Sequence, residues 1–262
     1  MYEILHGLLS DKKGGKIFTL FGLWHFIYVF LALAVIFAVL FFTGKKERAA
    51  KEKAAKALGS AAFFLYIADL FLMPIAYGEI DIEKLPFHIC TAMCVMCFLS
   101  ERVPALKKMR MHFILLGFIS NLVYLIYPAG VMWHAVHPLC YRVVQTLLFH
   151  GVMTAYGFLS ILFSADQLTL KTWYKDLLTT VLMTVWALFG NFLYNGSADG
   201  YDHFFNWFFV VRDPFNALNA NLAPYVMPYV NVALFFAVQM LILGVFTALR
   251  SIKNKKTANG LK

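Results

Sequence analysis

The residues best suited to covalent chemistry are cysteines and histidines inside apolar segments of the chain. His88 and Cys90 fall in one such segment, and His150 falls in another. Cys90 shares a helical stripe with Cys94, whereas His88 points to a different side and cannot readily activate Cys90 within its own helix. A base for a Cys90 nucleophile would have to come from another helix, and His150 or His137 is the natural candidate. The predicted catalytic residues are Cys90, His150 and His88.

The same residues also fit a structural role. Small, soft cysteine side chains let helices approach closely, and a histidine within a membrane can simply hydrogen-bond to a neighbouring helix. Cys90, Cys94 and Cys97 lie on one stripe beside histidines, but their spacing matches no familiar zinc pattern. Haem bound by paired histidines has no further support. No metal or other cofactor is therefore expected.

Further polar side chains lie in apolar segments, where they normally face the interior of a bundle or a wet cavity. Arg142, Gln145 and His150 share one broad face of a helix, and His137 marks its outer end. Arg142 could hold an anionic lipid headgroup. A carboxylate as deep as Asp69 is protonated, paired with a base such as Arg142, or part of a proton or ion path. The predicted substrate-binding residues are His137, Arg142, Gln145, Asp69, Asn121, Asn191 and Asn195.

The helices that position these residues must cross a membrane. Of the 262 residues, 61% are hydrophobic and only 14% are charged, whereas a soluble domain averages about 45–50% apolar and about 25% charged residues. Because the surface of a soluble fold must be solvated, this much apolar surface requires lipid as the solvent. The composition therefore excludes an ordinary soluble enzyme.

Seven segments are apolar enough to span a bilayer, and they predict an all-α, polytopic transmembrane bundle in a single membrane domain over 1–262. The spans are 17–43, 58–77, 86–100, 111–129, 137–164, 173–195 and 225–249. The charged segment 44–57 is interpreted as a solvated, basic helical extension. The aromatic segment 196–224 is interpreted as a loop in the outer membrane interface.

The charged loops alternate along the chain and orient the spans. Basic residues cluster between spans one and two, between three and four, and after spans five and seven, while acidic residues dominate the other loops. By the positive-inside rule, the N-terminus lies outside and the C-terminus lies in the cytoplasm, although Lys12, Lys13 and Lys16 disagree. Because the net charge of +9 comes from such loops, no nucleic-acid partner is expected.

Several short motifs, in their order and spacing, resemble a known family. They are Leu85-Pro86-x-His88-x-Cys90, His137-Pro138, His150-Gly151 and Gly190-Asn191-(x)3-Asn195. The set resembles the YwaF family of bacterial membrane proteins, which is grouped with the animal transmembrane protein 164. The resemblance implies an acyltransferase that makes ether phospholipids with a cysteine nucleophile and a histidine partner. One departure is Phe87, which stands where the animal motif has its cysteine, three residues before Cys90.

Three functions are compatible with the sequence. The first is an acyltransferase or lipid hydrolase with an outward-facing intramembrane site, acting on a glycerophospholipid or lysolipid. The second is a transporter or a binding protein for lipids or small molecules that uses the same polar cavity without chemistry. The third is a structural or sensory subunit. The expected location is the plasma membrane, and the bacterial resemblance suggests a bacterial one; the sequence sets no oligomeric state.

Overall fold

The structure, a computed structural model, describes residues 2–9, 16–78, 82–131, 135–195, 205–213, 217–219 and 221–260. Within these residues the chain is helical and has no β-strand. The α-helices are α1 (Tyr2–Leu9), α2 (Leu23–Thr43), α3 (Arg48–Tyr77), α4 (Ile89–Ser100), α5 (Arg110–Ile126), α6 (Tyr141–Phe163), α7 (Trp173–Asn195) and α8 (Ala223–Gly260). Short 3-10 turns occupy Ile82–Lys84, Pro104–Met109, Ala129–Val131, Ala165–Gln167, Leu170–Thr172 and Trp207–Phe209.

Seven of these helices match the predicted bundle. Six of them, α2, α3, α5, α6, α7 and α8, are long and apolar enough to cross a membrane, and α4 is a shorter apolar helix. The all-α, seven-helix polytopic fold class is therefore confirmed. Helix α1 is additional to the predicted spans and packs on α3, where Nδ1 of His6 lies 3.1 Å from the carbonyl oxygen of Ile75.

Helix α6 forms the centre of the bundle. In the most apolar 18-residue stretch of α6, 72% of the residues are buried within the protein. The corresponding shares are 17% in α2 and 11% in α8. Helices α2, α3 and α5 all pack on α6. Gly157 permits the close approach of α5, since a Cβ added there would lie 2.6 Å from Cβ of Phe118. A side chain on α6 therefore meets protein on most sides, while α2 and α8 are left with wide lipid-facing surfaces.

Two ends of the bundle can be distinguished. The outer end, where α2 begins and α3 ends, is the one that the charge pattern predicts to face outward. The basic end, where α2 ends and α3 begins, carries the segment 44–57, most of which continues directly into α3. Alanine, lysine and glutamate dominate that segment, and all three favour helix.

Helix α4 is shorter than a full membrane span. Its 12 residues give a length of about 18 Å, well below the roughly 30 Å of a hydrocarbon core. The segment 82–88, which begins with the 3-10 turn Ile82–Lys84, directly precedes α4. Phe87 in this segment is 7% exposed and fills a notch at Gly190 of α7, where any Cβ would collide with its ring. Irregular backbone is tolerated at membrane depth where protein buries it. Phe87 is the buried residue of this segment, whose other side chains are partly or fully exposed.

The described part of the long loop before α8 also folds into the bundle. Trp207 and Phe208 are each 1% exposed, and Phe208 and Phe209 have φ values of +57° and +53°. These values are costly for residues with a side chain. Asn231 of α8 holds the turn because its amide donates to the carbonyls of Phe208 and Phe209 at 2.8 and 2.9 Å. Two aromatic residues of the predicted interfacial run, Tyr201 and Phe204, lie outside the described residues.

Candidate functional site

A buried ionic cluster lies at the outer end and is centred on Asp69, which is 2% exposed. The hydroxyl of Tyr141 donates to Oδ1 of Asp69 at 2.8 Å. The ammonium of Lys84 lies 3.2 Å from Oδ2 and 3.5 Å from the Thr146 hydroxyl. We call Asp69, Lys84, Tyr141 and Thr146 the Asp69 cluster. The sequence offered pairing with a base as one alternative for Asp69, and the partner observed is Lys84 rather than Arg142.

The fold fixes the Lys84 backbone from two sides. Helix α3 ends at Gly78, whose φ of +80° suits a residue without a Cβ, and the chain returns through the 3-10 turn that contains Lys84. The Tyr66 hydroxyl donates to the carbonyl of Lys84 at 3.0 Å. The indole of Trp207 donates to the carbonyl of Glu83 at 3.4 Å. The lysine therefore reaches Asp69 from a segment anchored to both α3 and the loop before α8.

His150 lies beside the Asp69 cluster on α6 and is 7% exposed. Its Nδ1 is 2.7 Å from the carbonyl oxygen of Thr146. Because a carbonyl only accepts, Nδ1 carries the hydrogen and Nε2 keeps a lone pair. The imidazole stacks on Tyr124 of α5 with ring centroids 3.8 Å apart, and Lys84 and His88 are within electrostatic range. His150 is thus held in one orientation, with Nε2 as the ring nitrogen left to accept a proton.

Cys90 lies in the first turn of α4 and is 7% exposed. Its thiol lies close to the Ser120 side chain on α5. The Ser120 hydroxyl itself donates to the Gly117 carbonyl at 3.1 Å. Among the described residues, no hydrogen bond joins Cys90 to a histidine. Tyr124 is the shared neighbour, because it stacks on His150 and lies within electrostatic range of Cys90.

Three further predicted residues lie at the start of α6. Arg142, in the first turn, is within electrostatic range of Tyr124. Gln145 is 9% exposed, and its Oε1 accepts from the Thr146 hydroxyl at 3.4 Å. His137 instead shapes the turn before the helix, where its Nδ1 accepts from the backbone N–H of Leu139 at 3.2 Å.

The three predicted asparagines have backbone partners. Asn121 is fully buried and donates to the Gly117 carbonyl at 2.7 Å. Asn191 donates to the carbonyl of Trp207 and accepts from its N–H, both at 3.1 Å. Asn195 makes the same pair of bonds to Phe205, at 2.8 and 2.9 Å. The amides of α7 therefore tie the loop before α8 to the bundle. Their loop partners, Trp207 and Phe205, are not members of the Asp69 cluster.

Two contributors were missed by sequence reasoning. Lys84 was grouped with the outer loops, although it is one of only two described basic residues there and precedes a proline that opens a span. Ser120 lies one position before the predicted Asn121 and gave no separate signal. Among the described residues, no three His, Cys, Asp or Glu side chains converge in a metal-binding arrangement.

Comparison with known proteins adds the family. The family model described as TMEM164 family matches residues 20–249, which include every predicted site residue. The chain belongs to the TMEM164 family. This family match agrees with the resemblance drawn from the motifs around Cys90, His150 and Asn191, and it fits a multi-pass membrane protein. No curated protein matches the chain significantly. No solved structure does so either. The TMEM164-family region spans α2 to Leu249 of α8, so α1 lies outside it.

Proposed function

We propose that this protein is a phospholipid acyltransferase or lipid hydrolase with Cys90 as nucleophile and His150 as base. The proposal rests chiefly on the surroundings of Tyr124. Its ring stacks on His150, and both Cys90 and Arg142 are within electrostatic range of it. The candidate base is thus in direct contact with Tyr124, and the candidate nucleophile and a cation for a phosphate group act on the same side chain at longer range. The motif resemblance supports the same reaction by analogy alone.

The reaction proceeds in two steps. Cys90 Sγ attacks the ester carbonyl carbon of a phospholipid, and the thiol proton passes to Nε2 of His150. The ester C–O bond breaks, the leaving lysolipid oxygen takes that proton from His150, and the acyl group stays on sulfur as a thioester. A hydroxyl of a second lysolipid, or water, then attacks the thioester and gives its proton to His150. The C–S bond breaks, and the sulfur regains the proton.

The remaining groups orient the substrate. Arg142 and Lys84 bind the phosphate, and Asp69 holds Lys84 in position through the 3.2 Å ion pair. Gln145 and Asn121 line the same end of α6 and α5. Because an ester bond lies near the headgroup level of a lipid, a site at the outer end of the bundle suits a substrate that is already in the membrane. We place this activity in the outer leaflet of a bacterial plasma membrane.

A second function is favoured by the contact of Cys90 with Ser120. If the thiol does no more than pack beside Ser120, the Asp69 cluster and Arg142 bind a lipid headgroup or a small solute without chemistry. The protein is then a transporter or a binding protein, and Cys90 is a packing residue.

Liposomes that contain the purified protein, a phospholipid with a fluorescent acyl chain and a lysolipid distinguish these functions. We expect labelled acyl chains to move to the lysolipid or to be released as fatty acid. Cys90→Ala abolishes this activity, and His150→Gln lowers it about 100-fold or more. Cys94→Ala, a change at another buried cysteine of the same helix, keeps the activity within about two-fold.

Two measurements separate chemistry from folding. Cys90→Ser preserves the shape of the side chain, so it should keep the thermal stability of the wild type while losing acyl transfer. A thioester on Cys90, detected by intact mass and removed by hydroxylamine, marks the intermediate. Equal activity in the Cys90 and Cys94 variants contradicts the proposal that Cys90 is the nucleophile of an enzyme. Tight binding of labelled phospholipid without any turnover supports the second function instead.

A further inference from the structure

The basic end of the bundle contains a cleft that the proposed outer site does not use. It lies between the end of α2, the start of α3 and the end of α6, and it has a volume of about 420 Å³. Ligand sites in proteins commonly have volumes of about 300–1,000 Å³. Its lining residues are Leu40, Thr43, Gly44, Arg48, Lys51, Leu162 and Phe163. We propose that this cleft binds one anionic phospholipid of the leaflet at the basic end.

The wall of the cleft is divided into an apolar part and a cationic part. Leu40 of α2 and Leu162 and Phe163 of α6 supply the apolar side, on helices that face the hydrocarbon core. Lys51 and Arg48 of α3 supply the cationic side at the membrane boundary. A phospholipid has this same division, with an acyl chain on one side and a phosphate on the other.

The two cations differ in how much of their charge is already neutralised. Arg48 is ion-paired to Glu52 at 2.8 Å and to Asp166 at 2.7 Å. Lys51 has no carboxylate partner among the described residues, and its side chain is only partly exposed. Its ammonium is therefore the group that gains most from an anion in the cleft.

The start of α3 and the neighbouring sequence reinforce the positive potential. The Glu47 side chain makes no cap at the start of α3, and the N–H groups of Ala50 and Lys51 donate to the Glu47 carbonyl at 3.1 and 3.2 Å. The N–H groups of Arg48 and Ala49 are therefore the ones that can attract a phosphate oxygen. The segment 44–57 holds six basic and two acidic residues, an excess of four positive charges. Each basic residue near an anionic membrane surface contributes about 1 kcal/mol of attraction. Charge complementarity thus favours an anionic lipid over a zwitterionic one.

Native mass spectrometry of the protein in a neutral detergent tests this assignment with phosphatidylglycerol and phosphatidylcholine as probes. We expect one phosphatidylglycerol to bind at least about five-fold more tightly than phosphatidylcholine, a ratio set by the charge contribution of a single lysine. Lys51→Gln should remove that preference. Lys53→Gln is the matched control, because Lys53 lies on the same helix, is exposed and does not line the cleft.

A second variant tests the cleft itself. Leu162→Trp fills the apolar part and leaves every charge in place, so it should abolish the tight site without changing net charge. Glycerol 3-phosphate distinguishes a lipid from a free phosphate, since the headgroup alone should bind at least ten-fold more weakly than the whole lipid. Equal affinity for both phospholipids, or an equal loss in the Lys51 and Lys53 variants, overturns the proposal.

Discussion

The two ends of the bundle use charged residues in different ways. At the basic end, ion pairs join helices to one another: Glu101 after α4 pairs with Lys56 of α3 at 2.9 Å and with Arg110 of α5. His112 of α5 meets Asp176 of α7 at 2.8 Å. At the outer end, the cation paired with Asp69 comes from the 3-10 turn Ile82–Lys84 instead of from an α-helix.

The charged residues at the basic end hold helices together, whereas those at the outer end form the candidate site. An ion pair between two helices fixes the distance between them. We call the helices held in this way the helical frame. The Asp69 cluster instead joins α3 and α6 to the 3-10 turn Ile82–Lys84, which precedes the short helix α4. We therefore expect a substitution in the Asp69 cluster to change ligand binding more than a substitution in the pairs that link two helices.

Glu101→Gln gives the largest expected change and tests the structural role of the basic end. Arg110 is 9% exposed and would lose its carboxylate partner, which costs about 4 kcal/mol of unfolding free energy. Denaturation in mixed detergent micelles measures this loss. Glu47→Gln, at an exposed position before α3, is the control and should change stability little. Equal small effects in both variants would mean that the Glu101 pairs do not hold the frame together.

Asn191→Ala tests how the loop before α8 is held at the outer end. The change leaves the N–H and C=O of Trp207 without partners in a buried place, at a cost of about 3 kcal/mol. Amide hydrogen exchange at Trp207 should become much faster, while exchange in α5 stays the same. Unchanged exchange at Trp207 would assign the asparagine a role other than holding the loop.

Lys84→Met tests whether Lys84 contributes more to substrate binding than to the stability of the helical frame. Asp69 keeps its bond from Tyr141, so we expect a moderate loss of stability of about 2 kcal/mol. Phospholipid turnover should fall far more than this stability loss implies, because phosphate binding is lost too. Lys84→Arg keeps the charge and should retain most of the turnover. If the loss of turnover in both variants is proportional to their loss of stability, Lys84 has a structural role only.

Tyr141→Phe is the smallest change and refines the same point. It removes one hydrogen bond to the Asp69 carboxylate while Lys84 remains paired, at a cost of about 1 kcal/mol. Thermal unfolding of the purified protein measures the effect. Tyr174→Phe, at an exposed position of α7, should be neutral. A loss as large as that of Lys84→Met would show that the tyrosine and the lysine contribute equally to the cluster.

The fold was more predictable from the sequence than the site was. Apolar length and loop charge suffice for a membrane bundle, because lipid requires helices of about 20 apolar residues whatever their partners are. The pairing of Asp69 with Lys84 depends on how the 3-10 turn Ile82–Lys84 packs beside α3, and no periodic pattern in the sequence predicts that packing.

The predicted substrate-binding asparagines illustrate a second limit. Polar side chains at membrane depth must find partners, but the sequence does not distinguish a ligand from a backbone. Asn191 and Asn195 were predicted to face a substrate, and the structure gives both of them loop backbone partners. His150 shares a helix face with other polar residues, and that arrangement can be read from the sequence. Its stacking on Tyr124 depends on how α5 and α6 cross.

Two of the five tryptophans in the chain are hydrogen-bonded to the backbone of segment 82–88. Trp186 donates its indole N–H to the carbonyl of Pro86 at 2.6 Å, and Trp207 donates to the carbonyl of Glu83. Indole emission shifts when such a hydrogen bond is broken or when water reaches the ring. Any movement of this backbone as a lipid arrives should therefore change the intrinsic fluorescence, so that occupancy of the outer end can be followed without a label.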